Sequence, residues 1–195
     1  MPTDGSKSLL TLSQDLIFWQ GEAQRYQQAG EAERELRTIA LQILTGGAAD
    51  WERVMAQAAA PMITRLGADH WYVAVTSQDD APALIAAAAG LAAPPDDDRC
   101  QLALELVATI ADCLKNGDRP PTRSPAVTGL LSAPLSVTGV NGLSICFSRN
   151  RAISATGATR DLLRGLGEIA LAAFLRSRSI RRSADATGAS LKGGR

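Results

Sequence analysis

Aromatic side chains are scarce in this sequence, at 4% of 195 residues. Any core must therefore be built from Leu, Ile, Val and the abundant Ala. No excess of one charge sign exists either: twenty basic residues offset twenty acidic ones. That balance excludes a general attraction to nucleic acid or to anionic membranes. Only three cysteines occur, Cys100, Cys113 and Cys146, with no CxxC or Cys/His ligand spacing, and an odd count argues against a disulfide framework. Each stands among apolar neighbours, as buried free cysteines do, without an evident cation to lower its pKa for redox sensing. The longest apolar stretch, Ala81–Ala93, contains Pro82 and Gly90 and is too short to span a bilayer. The first fifteen residues, MPTDGSKSLLTLSQD, lack the basic start and apolar run of a signal peptide. A reducing, cytoplasmic location is expected.

Hydrophobic residues make up 46% and charged residues 21%, values near globular averages that support one packed core plus an extension. The chain opens with a helical seam: Leu9, Leu12, Leu16, Trp19, Ala23 and Tyr26 recur at alternating steps of three and four. Gly30 interrupts it, Leu36, Ile39, Ala40, Ile43 and Leu44 resume in a new phase, and Gly46-Gly47 ends it. Asp50 is placed to cap the next helix, whose apolar face holds Val54, Met55, Ala58, Met62 and Leu66; Pro61 should bend or interrupt it. His70–Thr76 then reads as a strand rich in aromatic and β-branched residues. Leu84–Ala92 fits a helix by its four consecutive alanines, or a strand by its length and flanking Pro82 and Gly90; a second strand beside the first is the simpler topology. Asp96-Asp97-Asp98 starts a helix that runs to Lys115 and stops at Asn116-Gly117, and three prolines make Asp118–Pro125 a loop. Strands are predicted at Leu130–Val137 and Leu143–Ser148, joined by a five-residue turn over Thr138–Gly142. A last helix is predicted from Thr159 to Arg176. From Arg176 onward Gly, Ser, Ala and six basic residues oppose one acid, Asp185, and this tail, 177–195, is expected to be frayed or disordered.

Two stretches resemble the GAF family. Ile63-Thr-Arg-Leu-Gly-Ala-Asp-His-Trp-Tyr-Val-Ala-Val75 is similar to its opening helix, LGAD turn and first strand; Leu131-Ser-Ala-Pro-Leu-Ser-Val-Thr-Gly-Val-Asn-Gly-Leu-Ser-Ile145 is similar to its hairpin before the closing helix. The resemblance covers roughly Asp50–Arg176. It implies an α/β (α+β) domain with a central antiparallel sheet of four to six strands flanked by helices. A long N-terminal helical extension occupies 1–47, the GAF-like domain 48–176 and the basic tail 177–195. It also implies a non-enzymatic sensory or regulatory role, since family members bind cyclic nucleotides, tetrapyrroles, amino acids, small anions or nothing. The segment Pro94–Pro125 is shorter than the corresponding stretch in many members.

Candidate chemistry is sparse. No GxxxxGK[ST], GxSxG or HExxH pattern is present, so no catalytic, metal or cofactor residue is assigned. His70 is the only histidine, and Asp96-Asp97-Asp98 is better explained by helix capping than by cation binding. Period-two alternation separates Trp71, Val73 and Val75 from Tyr72, Ala74 and Thr76, and Leu143, Ile145 and Phe147 from Ser144, Cys146 and Ser148. If the more apolar sides meet the terminal helices, His70, Tyr72, Thr76, Ser144 and Cys146 form one mixed-polarity patch suited to a small ligand. The alternative is a solvated sheet face, or one covered by the Cys100–Lys115 helix. The seam of Leu9, Leu12, Leu16, Trp19 and Tyr26 either joins a second copy in a homodimer or folds back on its own domain. Further partners are a separate effector protein and, through the tail alone, nucleic acid. Rival readings are a scaffold protein with no small ligand and a small enzyme with dispersed residues.

Overall fold

A computed structural model describes residues 20, 27, 30–45, 50–76, 81–91, 93 and 98–192, with side chains through residue 180. The chain divides into two compact units, Met1–Arg37 and Thr38–Arg195. In the first, the described residues are helical. The seam residues Leu9, Leu12, Leu16, Trp19 and Tyr26 lie outside the described residues.

The second unit opens with helical residues 38–45 (α1), on which Ile39 and Ile43 are buried while Leu41 and Leu44 are exposed. Then follow α2 (Trp51–Arg65), β1 (His70–Val75), β2 (Ala83–Ala89), α3 (Arg99–Lys115), β3 (Gly129–Val137), β4 (Val140–Ser148) and α4 (Gly157–Lys192). The four strands form one antiparallel sheet in the order β2-β1-β4-β3. The fold is α+β, as the sequence predicts, and the ambiguous alanine run is the edge strand β2.

Helix α2 runs through Pro61 without a break. Its buried stripe, Trp51, Met55, Ala59, Met62 and Ile63, continues on both sides of the proline, and packing of that stripe offsets the missing hydrogen bond. Asp50 occupies the N-cap position but makes no side-chain capping bond. Gly67, at φ +75°, turns the chain out of the helix.

The β3–β4 turn is tighter than expected. Thr138 and Gly139, both at positive φ (48° and 79°), complete it as a two-residue hairpin. That conformation matches strand twist, so the ladder extends to Val137 opposite Val140. Helix α4 is also longer than the sequence suggests. Its backbone continues from Arg176 to Lys192: no proline lies in that stretch, and Ala, Arg, Leu and Lys favour helix. No helix among the described residues is long and apolar enough to cross a membrane.

Candidate functional site

The β1–β4 register decides which side chains meet. Tyr72 pairs with Ile145 and His70 with Phe147, whereas Trp71 pairs with Cys146 and Val73 with Ser144. Residues directly opposite in an antiparallel ladder share a face. The five predicted site residues are therefore not one patch. Tyr72 and His70 lie on one side of the sheet and Ser144 and Cys146 on the other.

The Tyr72 side is closed by α3. Leu102, Ala103, Leu106, Val107 and Ile110 pack against Tyr72, Leu143, Ile145 and Phe147 in one buried cluster. The Tyr72 and Phe147 rings stack at 5.9 Å, and His70 leans on Phe147 at 5.4 Å. Detaching α3 would expose four large aliphatic side chains, each worth roughly 1.5–3 kcal/mol. That is comparable to the whole stability of a domain, about 5–15 kcal/mol. The face stays shut. Tyr72 Oη lies 4.0 Å from Cys100 Sγ in the first turn of α3.

The opposite side belongs to α2 and α4. Trp71 Nε1 donates to Ser144 Oγ at 2.9 Å, both residues fully buried. Gly167 of α4 approaches so closely that an added Cβ would meet Ser144 Cβ at 2.7 Å and Leu135 Cδ1 at 2.8 Å. Burial pushes the Cys146 thiol up to about 12, because the thiolate would have no water around it. Cys146 is thus a small apolar core residue at neutral pH.

Thr76 stands apart, just past the end of β1, where its N–H donates to the Asn141 carbonyl at 3.1 Å. There a cleft of about 260 Å³ opens between the last turn of α3 and the start of β4. Thr76, Leu114, Lys115, Asn141, Gly142 and Leu143 line it. Aliphatic walls with one ammonium, one amide and one hydroxyl suit a small molecule having an apolar body and a polar or anionic end. Of the five predicted residues only Thr76 reaches this cleft. The sequence reading missed Lys115 and Asn141, which carry no motif and meet only through the sheet register.

It also missed a buried acid held by several hydrogen bonds. Asp69, buried beneath the LGAD turn, accepts from Ser148 Oγ at 2.6 Å and from Arg151 Nη2 at 2.8 Å. Ser148 Oγ in turn accepts from the Arg151 N–H at 3.1 Å. The Asp69 N–H donates to the Phe147 carbonyl, and Gly90 N–H donates to the Asp69 carbonyl. One residue so ties α2, β1, β2 and the end of β4. An acid standing alone between Ala68 and the strand was the available signal. No group of three or more His, Cys, Asp or Glu among the described residues is placed to hold a metal ion.

Comparison with known proteins agrees with this architecture. No family model and no curated protein matches the chain. Among solved structures, the GAF domain of an Acinetobacter phosphoenolpyruvate-protein phosphotransferase aligns over 75% of this chain and 94% of its own, with TM-score 0.46 and 11% identity. The GAF domain of a protein described as a sensor histidine kinase from Pseudomonas syringae pv. tomato aligns over 85% of this chain and 99% of its own, with TM-score 0.52 and 14% identity. The chain has a GAF-like fold.

Proposed function

We propose that this chain is a non-enzymatic, cytoplasmic regulatory domain whose output runs through helix packing in a homodimer. One observation carries the reading. Helix α4 packs on the sheet through Leu163, Leu166, Ala170 and Leu171 and then continues without interruption to Lys192. A change at the sheet is thereby transmitted along a single element. Gly142 links the two ends of this path: it lines the Thr76–Asn141 cleft, and a Cβ there would meet Leu171 Cδ2 at 3.4 Å. A ligand in the cleft acts only by its differential affinity for two arrangements of α4. The apolar seam of Leu9, Leu12, Leu16, Trp19 and Tyr26 supplies the dimer contact in this scheme.

The closed α3 face favours a surface-bound ligand or a protein partner over an enclosed ligand. Differential scanning fluorimetry against cyclic nucleotides, amino acids and small anions tests the first. At least one should raise Tm, and Leu114→Glu with Asn141→Ala should abolish the shift. Silence across the panel, with a stable partner in pull-downs, would leave a protein-interaction module instead. Leu12→Asp with Leu16→Asp should turn a dimer into a monomer in light scattering if the seam joins two copies.

A further inference from the structure

The Thr76–Asn141 cleft carries a single kind of charge. Among the described residues lining it, Lys115 is the sole ionised side chain. The Asn141 amide and the Thr76 hydroxyl add uncharged donors, and Ala111, Leu114 and Leu143 supply aliphatic wall. None of the three polar side chains makes a hydrogen bond or ion pair with a described residue. Asp112, three positions before Lys115 on α3, lies outside the lining and forms no ion pair with it.

Nor is Lys115 needed to close its own helix. The last-turn carbonyls of α3 are already engaged: Asp112 accepts from the Asn116 N–H at 3.1 Å, Cys113 from the Asp118 N–H at 2.8 Å and Leu114 from the Gly117 N–H at 3.2 Å. Those bonds blunt the negative end of the helix dipole, which would otherwise repel an anion there. Leu114, the neighbour of Lys115 in the chain, is 38% exposed. An apolar body laid against it is taken out of water at the place where the ammonium meets a charge.

Granted the cleft as a ligand site, the reading above on which this step rests, we propose that its ligand is a small aliphatic monocarboxylate. One ammonium balances one carboxylate in a charge-assisted contact. A phosphate monoester would bring about two negative charges against a single cation. An amino acid would set its own ammonium in a cleft whose described lining holds no acid. A cyclic nucleotide would find no aromatic ring among those residues to stack on. Size points the same way. The cleft, at about 260 Å³, falls below the roughly 300–1,000 Å³ of sites for drug-sized ligands.

Amide NMR titrations of the full chain with isocaproate, leucine and isocaproamide separate these terms, because the three share one carbon skeleton. Inorganic phosphate and cyclic AMP complete the panel. Isocaproate should shift the Thr76, Lys115 and Asn141 amides saturably and bind at least threefold more tightly than any other compound. Lys115→Met should weaken isocaproate at least threefold and erase its advantage over isocaproamide. Lys115 is exposed, so amides away from the cleft should keep their positions in this variant. Raising NaCl from about 0.05 to about 0.5 M should act in the same direction as the substitution. Equal or tighter binding of another compound at those amides would overturn the carboxylate assignment and leave the cleft a ligand site. A preference for isocaproate that survives Lys115→Met would overturn it as well. If no compound moves those amides, the binding-site reading itself falls, and this assignment with it.

Discussion

Ser148 Oγ sits 2.6 Å from Asp69 Oδ2, bridging 79 positions of sequence and fastening the end of β4 to the start of β1. Both residues are buried, and a buried hydroxyl bonded to a carboxylate makes a charge-assisted contact stronger than a neutral one.

Asp69→Ala should therefore destabilise the domain by about 1.5–3 kcal/mol, the range for hydrogen bonds to charged groups. Arg151→Ala should cost under about 1 kcal/mol, because the Arg151 side chain is 57% exposed and water screens the pair. Urea unfolding of the two variants checks the order. Equal losses would mean that the ion pair, not the Ser148 bond, carries the stability.

Trp71 and Ser144 predict a thermodynamic coupling. Trp71→Phe leaves the Ser144 hydroxyl buried without its donor, and Ser144→Ala leaves the indole N–H without its acceptor. Each should cost about 1–3 kcal/mol. The double variant should cost less than the sum, with a coupling of about 0.5–3 kcal/mol. Strict additivity in a double-mutant cycle would contradict the 2.9 Å bond.

Two glycines of α4 should respond differently to alanine. At Gly167 the helix gains about 1 kcal/mol of propensity, but the added methyl strikes Ser144 Cβ and Leu135. Overpacking of that kind costs about 1–3 kcal/mol, so the net effect is a loss. At Gly157 nothing lies within 4 Å of the new methyl, and the change should stay within about 0.5 kcal/mol. Thermal melts of the pair decide.

The Cys146 thiol yields a pH prediction. Its value is about 12 in the folded chain against 9.0 ordinarily. Above pH 9 the unfolded chain releases this proton and the folded chain keeps it, so stability falls as pH rises from about 9 towards 12. The slope approaches 1.4 kcal/mol per pH unit, roughly, for one such group. Cys146→Ala should flatten that part of the profile. At pH 8 Ellman's reagent should titrate Cys100 quickly and Cys113 more slowly, and should reach Cys146 only in denaturant, in keeping with their exposed, intermediate and buried settings.

Much of this fold was legible locally. Gly67, Gly117 and the Thr138-Gly139 pair mark element ends by backbone conformation, and the strand around Trp71 declared itself by side-chain type. The division of β1 and β4 into two faces each was also readable. Which faces coincide was not: it depends on Trp71 standing opposite Cys146 rather than Ile145, a register set by contacts more than seventy positions apart. Polarity gave no guide, because β1 is buried on both sides from His70 to Ala74, and Ser144 is as inaccessible as Ile145. The cleft lining failed to announce itself for the same reason. The predicted helix end at Arg176 rested on composition alone, which weighs Gly and Ser against helix but does not count the absence of proline.

From Ser177, the last buried residue among the described side chains of the helix, about 15 residues of α4 remain, some 22 Å of rod at 1.5 Å per residue. A tilt of about 5° at that fulcrum swings the far tip by roughly 2 Å, enough to carry a hydrogen bond at the tip out of range. A sub-ångström adjustment beside Gly142 would thus arrive at the distal end as a lever stroke, and shortening the rod by whole turns should scale that stroke down in proportion.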